Sequence, residues 1–154
     1  MRSSEPTSGD SERECLFCRI IRGEVPHELV LGTERTVAFL DHRPLFHGHC
    51  LVVPRVHYVT LLELPPAELA PLFQATQLVA QAVREAMEAD GIFVGVNNVV
   101  SQSVPHLHIH VVPRRRGDGL KGFFWPRQRY ESAEAMAEVA DRVRAAVDHL
   151  GGSC

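Results

Sequence analysis

Three kinds of residue pattern are scarce in this chain, and each scarcity closes off a class of protein. Only 4 cysteines occur among 154 residues, too few and too scattered for the disulfide framework of a small secreted domain. No run approaches the roughly 18–20 consecutive apolar residues of a membrane span, and the polar N-terminal stretch has no apolar centre of the signal-peptide kind. Basic charge is not in excess: 16 Lys and Arg against 19 Asp and Glu give a formal net charge of -3. That balance offers no surface for general nucleic-acid or membrane binding, so any nucleotide must be held by local contacts. The expectation is a cytoplasmic protein whose thiols stay reduced. In that setting a close cysteine pair is better suited to a metal than to a disulfide.

With 45% hydrophobic and 23% charged residues, the chain suits one compact domain with a single core. Residues 1–13 are polar and rich in Ser, Glu, Pro and Gly, and are expected to form a disordered tail ahead of a domain spanning 14–150. The most informative segment is His106-Leu107-His108-Ile109-His110-Val111-Val112. Alternation of imidazoles with large aliphatics is the period of a half-buried strand, and it puts the three histidines on one face. Same-face Cα atoms on a strand lie roughly 6.5–7 Å apart, so neighbouring rings can touch one small ligand. Burying such rings without a task would cost several kcal/mol in unmet hydrogen bonds. Near the N-terminus, Cys15-Leu16-Phe17-Cys18 sets two thiols one helical turn apart, as a metal-binding pair or as two small buried apolar residues.

Periodicity and punctuation supply the scaffold. A short helix is expected over Cys15 to Ile21, stopped by Gly23 and Pro26; strands over Glu28 to Leu31, Thr36 to Asp41 and His49 to Pro54 follow. A long helix is expected from about Ala67 to Ala89, with Leu69, Phe73, Thr76, Val79, Ala80, Val83 and Met87 as its inward stripe and Pro71 kinking it or delaying its start. Strands over Ile92 to Asn97 and His106 to Arg114 come next. A final helix from about Ala133 to Leu150 has Ser132 as N-cap, Met136, Val139, Ala140, Val143, Val147 and Leu150 inward, and Gly151-Gly152 as its stop. The order argues for an α+β meander, an antiparallel sheet with helices on one face, and there are no internal repeats. Cys50 reads as core and Cys154 as a frayed terminus.

The motif HLHIHVV, together with FLDHRPLFHGHCLVVPRVH upstream and QSV just before it, resembles the histidine-triad (HIT) superfamily of nucleotide hydrolases and transferases. The likeness runs from about Cys15 to the last helix. It implies the HIT fold and a homodimer, paired through the long helix and the strand before the triad. Zinc-containing bacterial members imply that Cys15, Cys18, His57 and His106 hold one structural zinc per chain, with a closed shell of four protein ligands. The resemblance further implies that His108 attacks the α-phosphoryl group of a nucleotide to form a covalent nucleotidyl-imidazole, that His110 gives a proton or hydrogen bond to the transferring group, and that His49 buttresses the triad. Asp41 would hold the ribose hydroxyls, Asn97, Gln102 and Ser103 the phosphate, and Leu16, Phe17, Ile20 and Phe39 the base, with a purine nucleotide as the expected partner.

The stretch from Leu64 to Val83 and the Ser-Ala-Glu-Ala-Met-Ala-Glu helix are most similar to the fragile-histidine-triad branch, whereas the cysteine pair is similar to the bacterial branch. The favoured expectation is therefore cleavage of dinucleoside polyphosphates at the α-phosphate with release of a nucleoside monophosphate. Phosphoramidase activity on nucleotide-amine conjugates is the alternative, as is a nucleotide-binding protein with little turnover. A rival of another kind has His106, His108 and His110 share one catalytic zinc with an open water site. Relatives carry glycine before the Gln-Ser pair, whereas here Asn97-Asn98-Val99-Val100-Ser101 precedes it, so a positive-φ phosphate nest is less easily formed. Arg114-Arg115-Arg116 reads as a solvated turn or as a hold for distal phosphates, and Phe123-Phe124-Trp125 as a core or interface anchor unless Trp125 closes over the nucleotide.

Overall fold

A computed structural model describes residues 15–120 and 128–150. These fall into two units, one ending at Asp118 and one beginning at Gly119. The expected tail over residues 1–13, the Phe123-Phe124-Trp125 cluster, the Gly151-Gly152 stop and Cys154 lie outside the described residues.

In the first unit, helix α1 (Leu16–Ile21) starts from an extended Cys15 and buries Phe17, Cys18 and Ile20. It ends where Gly23, at φ 75°, turns the chain into the left-handed region and returns its N–H to the carbonyl of Ile20 at 2.9 Å. Strands β1 (Leu29–Gly32), β2 (Thr36–Leu40), β3 (Cys50–Pro54), β4 (Gly91–Gly95) and β5 (Ile109–Arg114) form one antiparallel sheet in the order β1-β2-β3-β5-β4. β2 and β3 read as near-continuous apolar runs because both of their faces are covered. Helix α2 (Pro66–Ala86) sends Leu72, Ala75, Val79 and Val83 onto Ala38, Cys50, Val52, Ile109 and Val111. α1 lies on the opposite face, over Val37, Phe39, Leu51 and Val53. Each fully buried Leu or Val stabilises the fold by about 1.5–3 kcal/mol, so these two clusters clamp the central strands from both sides.

The long helix begins at Pro66, close to the expected start, so Pro71 does not delay it; the helix runs through Pro71, whose missing N–H leaves the carbonyl of Ala67 without its helical donor. The Arg35 guanidinium reaches that carbonyl at 3.5 Å and the Glu68 carboxylate at 3.0 Å. Its buried stripe is Leu72, Ala75, Thr76, Val79 and Val83, while Leu69 and Phe73 stay 39% and 43% exposed. Two neighbouring stripes of this helix are apolar, so periodicity alone does not choose between them.

The strand carrying the triad is also shorter than expected. β5 begins at Ile109, because Pro54 at the end of β3 has no N–H to extend the ladder. The carbonyl of Pro54 instead accepts from His106 Nε2 at 2.9 Å, and the Leu107 N–H bonds the Tyr58 carbonyl at 2.6 Å. His106 and His108 are thus pinned just outside the sheet and His110 within it.

In the second unit, helix α3 (Ala133–His149) starts as expected, with Ser132 Oγ accepting the Ala135 N–H at 3.1 Å. None of its residues is buried; Met136, Val139, Val143 and Val147 are exposed, contrary to the inward stripe expected of them. Amphipathic periodicity identifies an apolar face and not what covers it. No helix among the described residues is long and apolar enough to cross a membrane.

Candidate active site and metal centre

Cys15, Cys18, His57 and His106, from the start of α1, the turn after β3 and the triad, bring ligand atoms within 4.8 Å of one another. His106 Nδ1 lies 3.5 Å from both cysteine sulfurs, and His57 Nδ1 lies 3.2 Å from Cys18 Sγ. Tetrahedral zinc, with bonds of about 2.3 Å to sulfur and 2.0–2.1 Å to nitrogen, needs such atoms roughly 3.3–3.8 Å apart, so this donor set fits it. Hydrogen bonding agrees. His106 Nε2–H donates to the Pro54 carbonyl, which leaves Nδ1 with its lone pair towards the sulfurs and fixes the ring from behind. Burial pushes His106 down to about 4, against the opposing pull of that carbonyl, so the ring is neutral as a ligand must be.

The remaining two histidines of the triad belong to a different network. His108 Nδ1–H donates to the His106 carbonyl at 2.6 Å, which leaves the Nε2 lone pair free. His49 Nδ1 accepts the Leu45 N–H at 3.1 Å; its proton is therefore on Nε2, which donates to His110 Nδ1 at 3.0 Å. His110 in turn must carry its proton on Nε2. A single backbone N–H thus sets the tautomers of two rings. Gly48 permits the turn that delivers His49: its φ is 92°, and a Cβ there would lie 2.6 Å from Met87 Cγ. Burial lowers His49 and His108, and pushes His110 down to about 4 with help from His108 and His49. Asp41 Oδ2, 3.7 Å from His49 Nδ1, pulls His49 upward, but burial outweighs it and the two are not an ion pair. Asp41, His49 and His110 also cluster closely enough for a metal, yet both His49 nitrogens are committed to the hydrogen bonds just described. This partition, His106 with the cysteines and His108 with His110, leaves no common metal position for the three triad rings.

His108 and His110 form one wall of a cleft of about 630 Å³. The four residues expected to form a base slot, Leu16, Phe17, Ile20 and Phe39, all line it, with Phe17 edge-on to His108 at 5.1 Å and to Phe39 at 5.4 Å. Asp41 and Ser103 line it as well. Asp41 Oδ1 accepts the Arg43 N–H at 2.9 Å, which holds the carboxylate in place. Asn97 and Gln102 do not line the cleft. Gln102 spans its loop, with Oε1 accepting from Val99 N–H and Nε2 donating to the Val59 carbonyl at 2.6 Å, and Asn97 Nδ2 donates to the Ser101 carbonyl at 3.2 Å. The loop reaches positive φ without glycine, at Val99 (69°) and Ser101 (62°). Sequence reasoning missed Val25, Pro26, His27, Glu28, Leu40, His42, Leu51 and Val104 in the lining. The Val25-Pro26-His27 turn carries no motif, and only its position after α1 could have suggested it.

Of the three consecutive arginines, Arg114 makes a bidentate pair with Asp118 at 2.6 and 3.0 Å. Arg115 donates to the Met87 and Glu88 carbonyls at the end of α2. None of the three lines the cleft.

The HIT domain model matches residues 22–117, and the chain belongs to the HIT domain family. Among particular relatives, it is 36% identical over 132 residues to adenylylsulfatase HINT3 of Arabidopsis thaliana, covering 78% of this chain and 67% of that protein. It is 33% identical over 131 residues to adenosine 5'-monophosphoramidase HNT1 of Saccharomyces cerevisiae, covering 82% and 78%. In structure it is similar to a Zn-bound histidine triad family protein from Mycobacterium smegmatis, with a TM-score of 0.67 and 36% identity over 88% of this chain and 99% of that one.

Proposed function

We propose that this chain hydrolyses nucleotide conjugates at the α-phosphate through a covalent intermediate on His108, releasing a nucleoside monophosphate. The observation that carries the reading is the 2.6 Å hydrogen bond from His108 Nδ1 to the His106 carbonyl, which leaves a neutral ring with Nε2 as the nucleophile beside the cleft. As Nε2 forms its bond to phosphorus, the bond to the leaving group breaks and the leaving group departs with the electron pair, sulfate as the anion and an amine with a proton taken from solvent. The ring becomes cationic, and the His106 carbonyl holding Nδ1–H stabilises it. Water then attacks phosphorus, the P–N bond breaks with its electron pair returning to Nε2, and the water's proton passes to solvent, which restores the neutral ring. His110, pushed down to about 4, is neutral at physiological pH; it serves as an Nε2–H hydrogen-bond donor to a phosphoryl oxygen more readily than as a proton donor. His49 holds that tautomer, Asp41 takes the ribose hydroxyls, Ser103 meets the phosphate, and the Phe17 and Phe39 slot takes a purine.

Zinc, when bound by Cys15, Cys18, His57 and His106, supplies a structural crosslink between segments 91 residues apart. Such a link removes unfolded-state entropy and ties α1, one wall of the cleft, to the triad. The HIT domain is read as extending over 14–150, functioning as a homodimer. For the leaving group, the committed Arg114 and Arg115 side chains weaken the case for dinucleoside polyphosphates, and relatives named for adenylyl-sulfate and adenosine phosphoramidate chemistry favour small leaving groups on AMP. Dinucleoside polyphosphates are the second reading, supported by the sequence of α2. Purified protein assayed against adenosine phosphoramidate, adenylyl sulfate, adenylated lysine and dinucleoside polyphosphates separates these. His108→Ala should lower turnover by several orders of magnitude while nucleoside monophosphate binding stays within about tenfold. Wild-type turnover in that variant would overturn the mechanism.

A further inference from the structure

The base slot is apolar along most of its wall, and His27 and Glu28 bring polar groups to its rim. From the nucleophile outward, His108 packs edge-on against Phe17 at 5.1 Å, Phe17 against Phe39 at 5.4 Å, and Phe39 against His27 at 6.1 Å. His27 therefore stands at the end of the slot away from the phosphorus-attacking ring, where the outer edge of a base would lie. It is half-buried and lines the cleft between the Val25-Pro26 turn and Phe39.

Its hydrogen bonding gives it a direction. His27 Nδ1 lies 3.0 Å from the Val25 carbonyl, which can only accept, so the proton of the neutral ring sits on Nδ1. Nε2 is then an acceptor, and it has no hydrogen-bond partner among the described residues. An acceptor at the rim of a mostly apolar slot discriminates bases by the hydrogen they present there, and replacing His27 alone, with Glu28 left in place, isolates its share. It welcomes an amino group, and it meets a carbonyl oxygen or a bare C–H with nothing to offer.

Resting on the nucleotide reading of the cleft, we propose that His27 is a specificity-determining residue whose Nε2 accepts a hydrogen bond from the exocyclic amino group of a purine. The probes are two pairs of nucleoside 5'-monophosphates differing by that group: AMP against purine riboside monophosphate, and GMP against IMP. Each is titrated calorimetrically into the full zinc-replete chain and into His27→Phe, which keeps an aromatic edge for Phe39 and removes the acceptor. In wild type the amino-bearing member of at least one pair should bind about threefold to tenfold more tightly, the range of one neutral hydrogen bond. In His27→Phe that preference should vanish because the amino-bearing ligand weakens while its partner binds as before, which also shows the slot intact. Equal binding within both pairs in wild type, or a preference that survives in His27→Phe, overturns the role of His27 and leaves the nucleotide site standing. If none of the four binds wild type, the nucleotide reading itself fails and this inference falls with it.

Discussion

The carbonyl of His106 holds the ring of His108. His106 turns its side chain to the cysteines on one side and, through its backbone, accepts the Nδ1–H of His108 at 2.6 Å on the other. The residue proposed to bind zinc is thus also the one that sets the tautomer of the proposed nucleophile, and the two proposed functions meet in one residue.

That link gives the metal a measurable signature. Protein prepared without added metal should contain about one zinc per chain, and Cys18→Ala should lower both zinc content and Tm while sparing residual activity. Elemental analysis, thermal melting and turnover on the same samples check this. Full zinc occupancy without the cysteines, with activity lost on chelation, would instead favour a catalytic metal.

Acid should weaken both fold and activity over a defined window. His110 is pushed down to about 4 and His49 and His108 are also lowered, all chiefly by burial, from an unfolded value of about 6.5. Between those values the unfolded chain binds more protons than the folded one. The stability these neutral rings allow is therefore present above about pH 6.5 and is lost as pH falls towards 4. Denaturant titrations from pH 7.5 to 4.5 should show this decline, and His110→Asn should flatten it. Turnover should be level above neutrality and fall on the acid side as His108 Nε2 gains a proton.

The loop before the triad carries strain that a glycine would relieve. Val99 is β-branched and sits at φ 69°, held by the bond from its N–H to Gln102. Val99→Gly should stabilise the protein by up to about 1 kcal/mol, since the left-handed cost disappears and only part is returned as chain entropy. A clear fall in Tm would show that the Val99 side chain contributes packing that its 71% exposure does not suggest.

The proposed homodimer has its surface in the residues that turned outward. Leu69 and Phe73 on α2 and Val94 on the edge strand β4 are large, apolar and exposed. Sedimentation at micromolar concentration should report about twice the chain mass, and Phe73→Glu should shift it towards the monomer by burying a charge in the contact. A monomeric wild type with full activity would refute the proposal.

Local chemistry was legible in the order of residues wherever a side chain's role follows from its neighbours in the chain. The Cys15 and Cys18 spacing, the alternation from His106 to Val112, the stop at Gly23 and the cap at Ser132 depend on contacts within a few residues, and strand identities came through because β2 and β3 are apolar on both faces. Other features required distant segments to meet. Which apolar stripe of α2 faces the sheet was decided by the sheet, and the late start of β5 by Pro54, 52 residues from the histidine that takes its carbonyl. The division of three similar histidines between a candidate metal centre and a hydrogen-bond network depends on Leu45, His49 and the cysteines, none of them adjacent to the triad. A hydrogen bond specifies a tautomer only once its partner is in place, and that placement is a property of the fold.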